Sequence, residues 1–359
     1  MEIPLHKPFI DENEEERVKQ VLRDGWISTR GDAVEEFERK IADFTGVENA
    51  IAVDSGTAAL QLILEALEIG RGDQVLVPDF TFGSIATAIK AVGAEPVPVD
   101  IERETLGIDP AEIGEAVTQD AEAVLAAHMF GKPAKVEEIK DVAEDHGLKL
   151  IEDAAQAFGS EYAGKKTGSF GDAGYYSFSW NKTITTGKGG MVLTDSDETA
   201  EKMKGIADYG RNTPGGDRYV RSGYNFRMDN IRASLGLAQF DNKKSIMKER
   251  QELADSYQRK MGREEVELPG FNIGQEVPWS YYVRSGRAAD IAERLESRGI
   301  GYMKFYGPLH LKDVIEISGD FPVSESISER GLVLPFYPEM EEQDVETVCN
   351  SVKESLKKY

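Results

Sequence analysis

Residues 49–78, NAIAVDSGTAALQLILEALEIGRGDQVLVP, pass from a short β-rich run through an amphipathic stretch and back to a β-rich run. NAIAV (49–53) and QVLVP (74–78) read as strands, and TAALQLILEAL (57–67) between them reads as a helix. A strand, a helix and a second strand in that order are the sign of parallel strands joined by a crossover helix. The alternation continues outward through EPVPV (95–99), AVLAAH (123–128), LKLIE (148–152), AGYYSFS (173–179) and GMVLT (190–194). VEEIKDVAEDHG (136–147) is a further helical stretch, and Gly147 stands where a helix C-cap belongs. The expected fold is doubly wound α/β with a mostly parallel sheet of seven strands.

Towards the N-terminus, NEEERVKQVL and AVEEFERKIADFTG predict two helices joined by the Gly-bearing turn GWISTRGD and packed against the sheet. Beyond the last strand, residues 197–209 and 228–261 read as helices, the second weakly broken near Asp241. Composition shifts near residue 262 to loops, a strand at YYVRS, a helix at AADIAERLESRG and a closing helix from Glu342. A large α/β domain is therefore expected over residues 1–243 and a smaller α+β domain over 244–359.

Composition bounds the function. A chain of 359 residues with 40% hydrophobic content can build a large packed core and is expected to form two domains. Its 65 acidic against 42 basic residues give a net charge of −23, a field that repels nucleic acid unless a local basic pocket overrides it. No run approaches the roughly 18 consecutive apolar residues of a membrane span, and the start MEIPLHKPFIDENEEE lacks the layout of a secretory signal. No membrane partner and a cytoplasmic location are expected. Cys349 is the only cysteine, so no intrachain disulfide or thiolate cluster can form. His6, His128, His146 and His310 show no paired spacing, and no metal site is expected.

Three segments carry chemistry. In AVDSGTAAL (52–60) a strand runs into Ser55, Gly56 and Thr57 and then a helix, an arrangement that can cradle a phosphate on free backbone N–H groups. The plainer reading is a tight turn with Thr57 as the helix cap. LIEDAAQAFGS (150–160) sets Asp153 and Gln156 just past the C-terminal end of a buried strand, the edge where open α/β sheets bind ligands. An aspartate there can hold a metal, a ribose or a protonated heterocyclic nitrogen, or simply cap the next helix. YYSFSWNKTITTGKGGMVLTD (175–195) delivers Ser177 on a strand and then Lys182 and Lys188 in a Gly-limited loop. A lysine partly desolvated in such a loop becomes nucleophilic near neutral pH, and the two lysines compete for that role with an ordinary surface position.

SGTAAL, IEDAAQA, SFSWNKTITTGKGG and SGYNFRM (222–228) occur in the order and spacing of the sugar aminotransferases of the DegT/DnrJ/EryC1/StrS family. The resemblance runs from GWIST (25–29) to LVLPFYP (332–338). It implies the aspartate-aminotransferase fold, fold type I, with pyridoxal 5′-phosphate as cofactor, alternating with pyridoxamine 5′-phosphate. Lys182 matches the lysine that carries the cofactor as a Schiff base, and Asp153 the carboxylate that pairs with the pyridine nitrogen. Gln156 resembles the residue beside the phenolic oxygen, and Phe82 the aromatic that stacks on the ring, with core packing as its plainer reading. Gly56, Thr57 and Ser177 match phosphate ligands, and Asn225 matches an asparagine that reaches the phosphate from a neighbouring subunit, which implies a homodimer with shared sites.

The wording NKTITTG, with WIS near the start, is especially similar to perosamine synthases and other 4-keto sugar aminotransferases. The resemblance implies transfer of an amino group from L-glutamate to a nucleotide-linked keto-deoxysugar, at C4 or alternatively at C3. Arg227, Arg30 and Lys304 are candidates for the basic contacts that an anionic nucleotide needs. Two departures stand out: Lys188 replaces the usual Glu of TTGEGG, and Phe158 replaces the usual His of DAAQAHG. A dehydratase of the same family would carry histidine at position 182, and a non-catalytic relative would lack the lysine or the aspartate. Both are present here.

Overall fold

The computed structural model describes residues 2–213, 216–262, 266–315 and 319–357. Seven strands form the main sheet: β1 (Asn49–Val53), β2 (Gln74–Pro78), β3 (Glu95–Val99), β4 (Ala121–Ala127), β5 (Lys149–Asp153), β6 (Ala173–Ser177) and β7 (Gly190–Thr194). Their order is β1-β7-β6-β5-β4-β2-β3, and β7 alone runs antiparallel to its neighbours. Successive side chains leave for opposite faces, and both faces are covered. Val75 and Val77 enter one core cluster while Leu76 enters another, and Ile151 and Leu150 divide in the same way. Burial on both faces is why these strands read as continuous apolar runs rather than alternating ones.

The helices start and stop on local chemistry. In α1 (Glu12–Asp24) the Asp11 carboxylate accepts from Asn13 N–H at 2.8 Å, and Glu14 reaches back to Asp11 N–H at 2.9 Å. α2 (Asp32–Thr45) buries Phe37 and Ile41 against Phe178 and Leu237. α3 (Gly56–Ala66) is capped by Ser55, whose Oγ accepts from Ala58 N–H at 3.1 Å, so the cap is Ser55 rather than Thr57. The helix over Val136–His146 ends on Gly147 at φ 71°, as its sequence predicts. α4 (Asn230–Asp241) and α5 (Lys243–Met261) are separated at Asn242.

A second core gathers Ala254 and Tyr257 of α5 with Ile3 from the N-terminal segment and residues from Val266 onward. Its antiparallel sheet has the order β8 (Tyr281–Arg284), β10 (Gly331–Leu334), β9 (Met303–Lys304). The helices Ala288–Ser297 and Glu342–Leu356 cover it, and Cys349 of the latter is buried there. Among the described residues no helix is long and apolar enough to cross a membrane.

Candidate active site

The C-terminal edge of the sheet collects the chemistry because of register. Val53 of β1 and Ser177 of β6 both pair with Gly190 of β7, and Tyr175 of β6 pairs with Asp153 of β5. Residues far apart in sequence therefore end in one row, with Asp153 as the last residue of its strand. Above that row lies a cavity of about 320 Å³ bordered by Ser55, Gly56, Thr57, Phe82, Asp153, Gln156, Ser177, Lys182 and Lys188.

One wall is the N-terminus of α3. Ala58 N–H is taken by Ser55 Oγ and Ala59 N–H by Ser55 O at 3.0 Å. No described residue takes the N–H groups of Gly56 and Thr57, which remain available to an anion. Gly56 is required by close approach, since a Cβ there would lie 3.0 Å from Ser177 Cβ. The Ser177 hydroxyl thus stands against the same helix end.

The floor carries Asp153, which is buried. Burial raises its pKa, while hydrogen bonds from Ala155 N–H and the Tyr175 hydroxyl and the charge of Lys182 oppose the rise. A cationic N–H placed against this carboxylate would complete it. Gln156 is oriented by accepting Phe130 N–H at 3.0 Å through Oε1. Lys182 is half-buried, and burial pushes its pKa down to about 8, with Asp153 resisting. About one amine in ten is then neutral at pH 7, against fewer than one in a thousand for an ordinary lysine. Phe82 is 53% exposed at the rim rather than packed in the core, and its ring meets Tyr306 edge-on at 5.7 Å.

The two departures separate here. Lys188 lines the cavity mouth and pairs with Asp54 at 3.1 Å. Phe158 is buried, stacked on Phe44 at 5.1 Å and edge-on to Tyr176, and belongs to the core rather than to the cavity. Tyr175, at the start of the segment that carries Lys182, also lines the cavity, as do Trp279 and Tyr306, which no local motif announces.

Asn225, Arg227, Arg30 and Lys304 do not reach this cavity. Asn225 is exposed on a segment whose next residues run beside β1, with Arg227 bridged to Val53. Arg227 binds Asp208 at 3.1 Å and shares with Arg30 a second cavity of about 380 Å³. Trp26 and Ile27, in the turn that leads to Thr29 and Arg30, expose their side chains, as does Leu22 on α1, and Asn230 fixes the turn by donating Nδ2–H to Trp26 O at 2.7 Å. Lys304 is exposed on β9. Among the described residues no cluster of three or more His, Cys, Asp and Glu side chains could hold a metal ion.

The cavity fits pyridoxal 5′-phosphate. Two free backbone N–H groups and the Ser177 hydroxyl suit a phosphate, the buried Asp153 suits a protonated ring nitrogen, and the amine of Lys182 suits an aldehyde carbon.

Comparison with known proteins gives the same picture. The sequence profile of the DegT/DnrJ/EryC1/StrS aminotransferase family matches residues 8–353. The GDP-perosamine synthase of Vibrio cholerae is 34% identical over 364 residues, covering 98% of each chain. The crystal structure of aminotransferase TlmJ from Streptoalloteichus hindustanus superposes with a TM-score of 0.93 at 30% identity, covering 99% of each chain. The structure of DesI in the presence of its TDP-sugar product gives 0.90 at 28% identity, over 98% of this chain and 93% of that one.

Proposed function

Because the chain belongs to the DegT/DnrJ/EryC1/StrS aminotransferase family, we propose that it moves an amino group from L-glutamate to the keto carbon of a nucleotide-linked 4-keto-6-deoxysugar. The observation that carries this reading is the meeting of a lysine with depressed pKa, a buried aspartate and a phosphate-ready helix end in one cavity. Pyridoxal phosphate, when bound, supplies the electron sink that lets hydrogen leave the amino-acid α-carbon as a proton. Asp153 would hold the ring-nitrogen proton in place, and Gly56 N–H, Thr57 N–H and Ser177 Oγ would hold the phosphate. Gln156 and Phe82 would help to hold the ring.

Lys182 Nζ, as a neutral amine, takes the proton from the donor α-carbon. In the return half the same atom delivers a proton to the former carbonyl carbon of the sugar. One base on one side of the cavity serves both halves, and the pKa near 8 lets it alternate between its two states close to neutral pH.

The GDP-perosamine synthases at 34% identity support a nucleotide sugar as acceptor. The anionic diphosphate needs cations, and among the described residues of the cavity wall Lys188 is the one cation besides Lys182. Arg30 and Arg227 lie outside that cavity, and the exposed apolar side chains of Trp26 and Ile27, shortly before Arg30 in the chain, support a second copy of the chain as their cover. In such a homodimer Asn225 and Arg227 serve the neighbour's site. A cytoplasmic location fits nucleotide-linked substrates.

The test is a screen of purified protein with L-glutamate against GDP-, dTDP- and UDP-linked 4-keto-6-deoxysugars and 3-keto sugars, reading 2-oxoglutarate. Release confined to 3-keto sugars selects the C3 reading, and no release with any acceptor rejects the function.

A further inference from the structure

No hydrogen bond or ion pair anchors Lys182 Nζ among the described residues; it meets a ring instead. The nitrogen lies 4.4 Å from the centroid of Trp279, well inside the distance at which a cation is drawn to a π face. That indole is fixed on every side. Its backbone N–H donates to Phe130 O at 2.9 Å, its carbonyl accepts from Arg250 Nη1 at 3.0 Å, and Nε1–H donates to Asn181 O at 2.7 Å. The last bond ties the ring to the residue that precedes Lys182 in the chain. His6 also stacks on the indole, at 5.5 Å with planes 29° apart.

His6 matters for the sign of the interaction. Burial, together with repulsion from Arg250 and Lys182, pushes its pKa down to about 4, so the imidazole is neutral near pH 7. A second positive charge under the same ring would compete for its π density. A neutral imidazole leaves that π density to Lys182.

A lysine has four rotatable side-chain bonds, and a free one spreads over many rotamers. An amine that must leave a carbonyl carbon, act as a base and return needs a resting place within reach of both positions. We propose that Trp279 is a positioning residue for Lys182, its indole face carrying the amine inside the cavity and returning it to one place each time it is released. This rests on the aminotransferase reading for its purpose, but not for its physical content, which is an attraction between the ammonium and the indole.

The titratable and charged groups around the amine are Asp153 and Tyr175 from the sheet, Lys188 and Tyr306 from the cavity wall, His6 stacked on the indole and Arg250 bonded to the Trp279 carbonyl. None of them changes when fluorine replaces hydrogen on the indole, which withdraws π density while keeping the ring's shape. The experiment uses the cofactor-free full-length chain with Trp26→Phe and Trp180→Phe, leaving Trp279 as the one tryptophan of three. Tryptophan, monofluoro-, difluoro- and trifluorotryptophan are incorporated in turn. Trace acetylation across a pH series, read by peptide mass spectrometry, gives the titration midpoint of each lysine.

The expected result is a stepwise fall in the Lys182 midpoint with each fluorine, about half a pH unit over the series, while Lys188 stays in place. A Lys182 midpoint that does not move across four proteins with matching circular dichroism overturns the proposal and leaves Trp279 as packing. In the loaded enzyme, kcat for the glutamate half-reaction should fall through the series with KM for glutamate held. If the midpoints fall but no acceptor is aminated by the parent chain, the functional reading fails and the contact stands.

Discussion

At the residue scale the two lysines of the 182–188 loop make the sharpest contrast. Lys182 is half-buried over an indole with its pKa lowered to about 8, whereas Lys188 is 62% exposed and paired with Asp54. Lys182→Ala should abolish transamination, and Lys188→Ala should keep most of kcat. Borohydride reduction and peptide mapping should place the cofactor on Lys182; a modified peptide centred on Lys188 would reverse the assignment. Stability gives a second handle. The folded-state pKa of Lys182 lies below the unfolded value of 10.5, so the protonated amine opposes folding. That cost is fully present below about pH 8 and fades as pH rises towards 10.5. Lys182→Met in the cofactor-free chain should therefore melt higher than the parent at pH 7, by at most about 3 kcal/mol after solvent screening, with the gap closing at alkaline pH. A gap that is constant across the pH series would refute the buried-charge account.

At the scale of elements, the end of β5 shows how the site is held rigid. Asp153 faces the cavity, and its neighbour Glu152 turns to the opposite side of the sheet, where it is fully buried. There its carboxylate accepts N–H groups of Gly168 at 2.8 Å, Phe170 at 2.5 Å and Gly171 at 3.0 Å. It also meets His128 Nε2 at 3.0 Å. Ala134 N–H donates to His128 Nδ1, so Nε2 carries the ring proton and donates to the carboxylate. One side chain therefore fastens β4, β5 and the loop before β6 behind the catalytic row. Glu152→Ala should cost about 3 kcal/mol or more, because it strands four buried donors, and Glu152→Gln should recover part of it. Urea unfolding curves measure both, and a loss under 1 kcal/mol would deny the fastening role.

The same scale explains what the sequence reveals. All seven sheet strands are legible because each is a short apolar run between turn residues, and the boundaries slip at three of them: β4 spans 121–127 rather than 123–128, β5 spans 149–153 rather than 148–152, and β6 stops at Ser177 rather than Ser179. The helix over Pro322–Arg330 is not legible: PVSESISER has only Val323 and Ile327 as apolar markers. Gly56, Thr57, Asp153, Ser177 and Lys182 lie within motifs and come together in one cavity. Trp279 and Tyr306 arrive from loops about 100 residues further on, and only tertiary packing brings them there.

For the whole molecule, Asn225 lies away from the cavity of Lys182 on the same chain, and the proposed role of Asn225 in that site therefore requires a second copy. The proposed dimer is tested by complementation. Lys182→Ala and Asn225→Ala chains, each impaired alone, are dissociated and reassociated as a mixture. If sites are shared, half of those in a mixed dimer carry both lesions and half carry none, so activity partly returns. If each chain builds its own site, every site keeps one lesion and mixing restores nothing even where dimers form. Mixed dimers can be counted with a charge tag on one chain, which separates failed assembly from failed complementation.

The single cysteine gives this enzyme its own clock. Cys349 sits in the closing helix, inside the second core, with its thiol pushed up to about 12 mainly by burial. A thiol-reactive dye has no other atom of its kind to attack, so each molecule reacts once and only when that core opens. Dye uptake therefore times the breathing of the C-terminal third of the chain while the aminotransferase chemistry continues elsewhere. If uptake is as slow as global unfolding, the two cores rise and fall together. If it is faster, the C-terminal core opens by itself, and adding the amino donor should show at once whether substrate turnover keeps it shut.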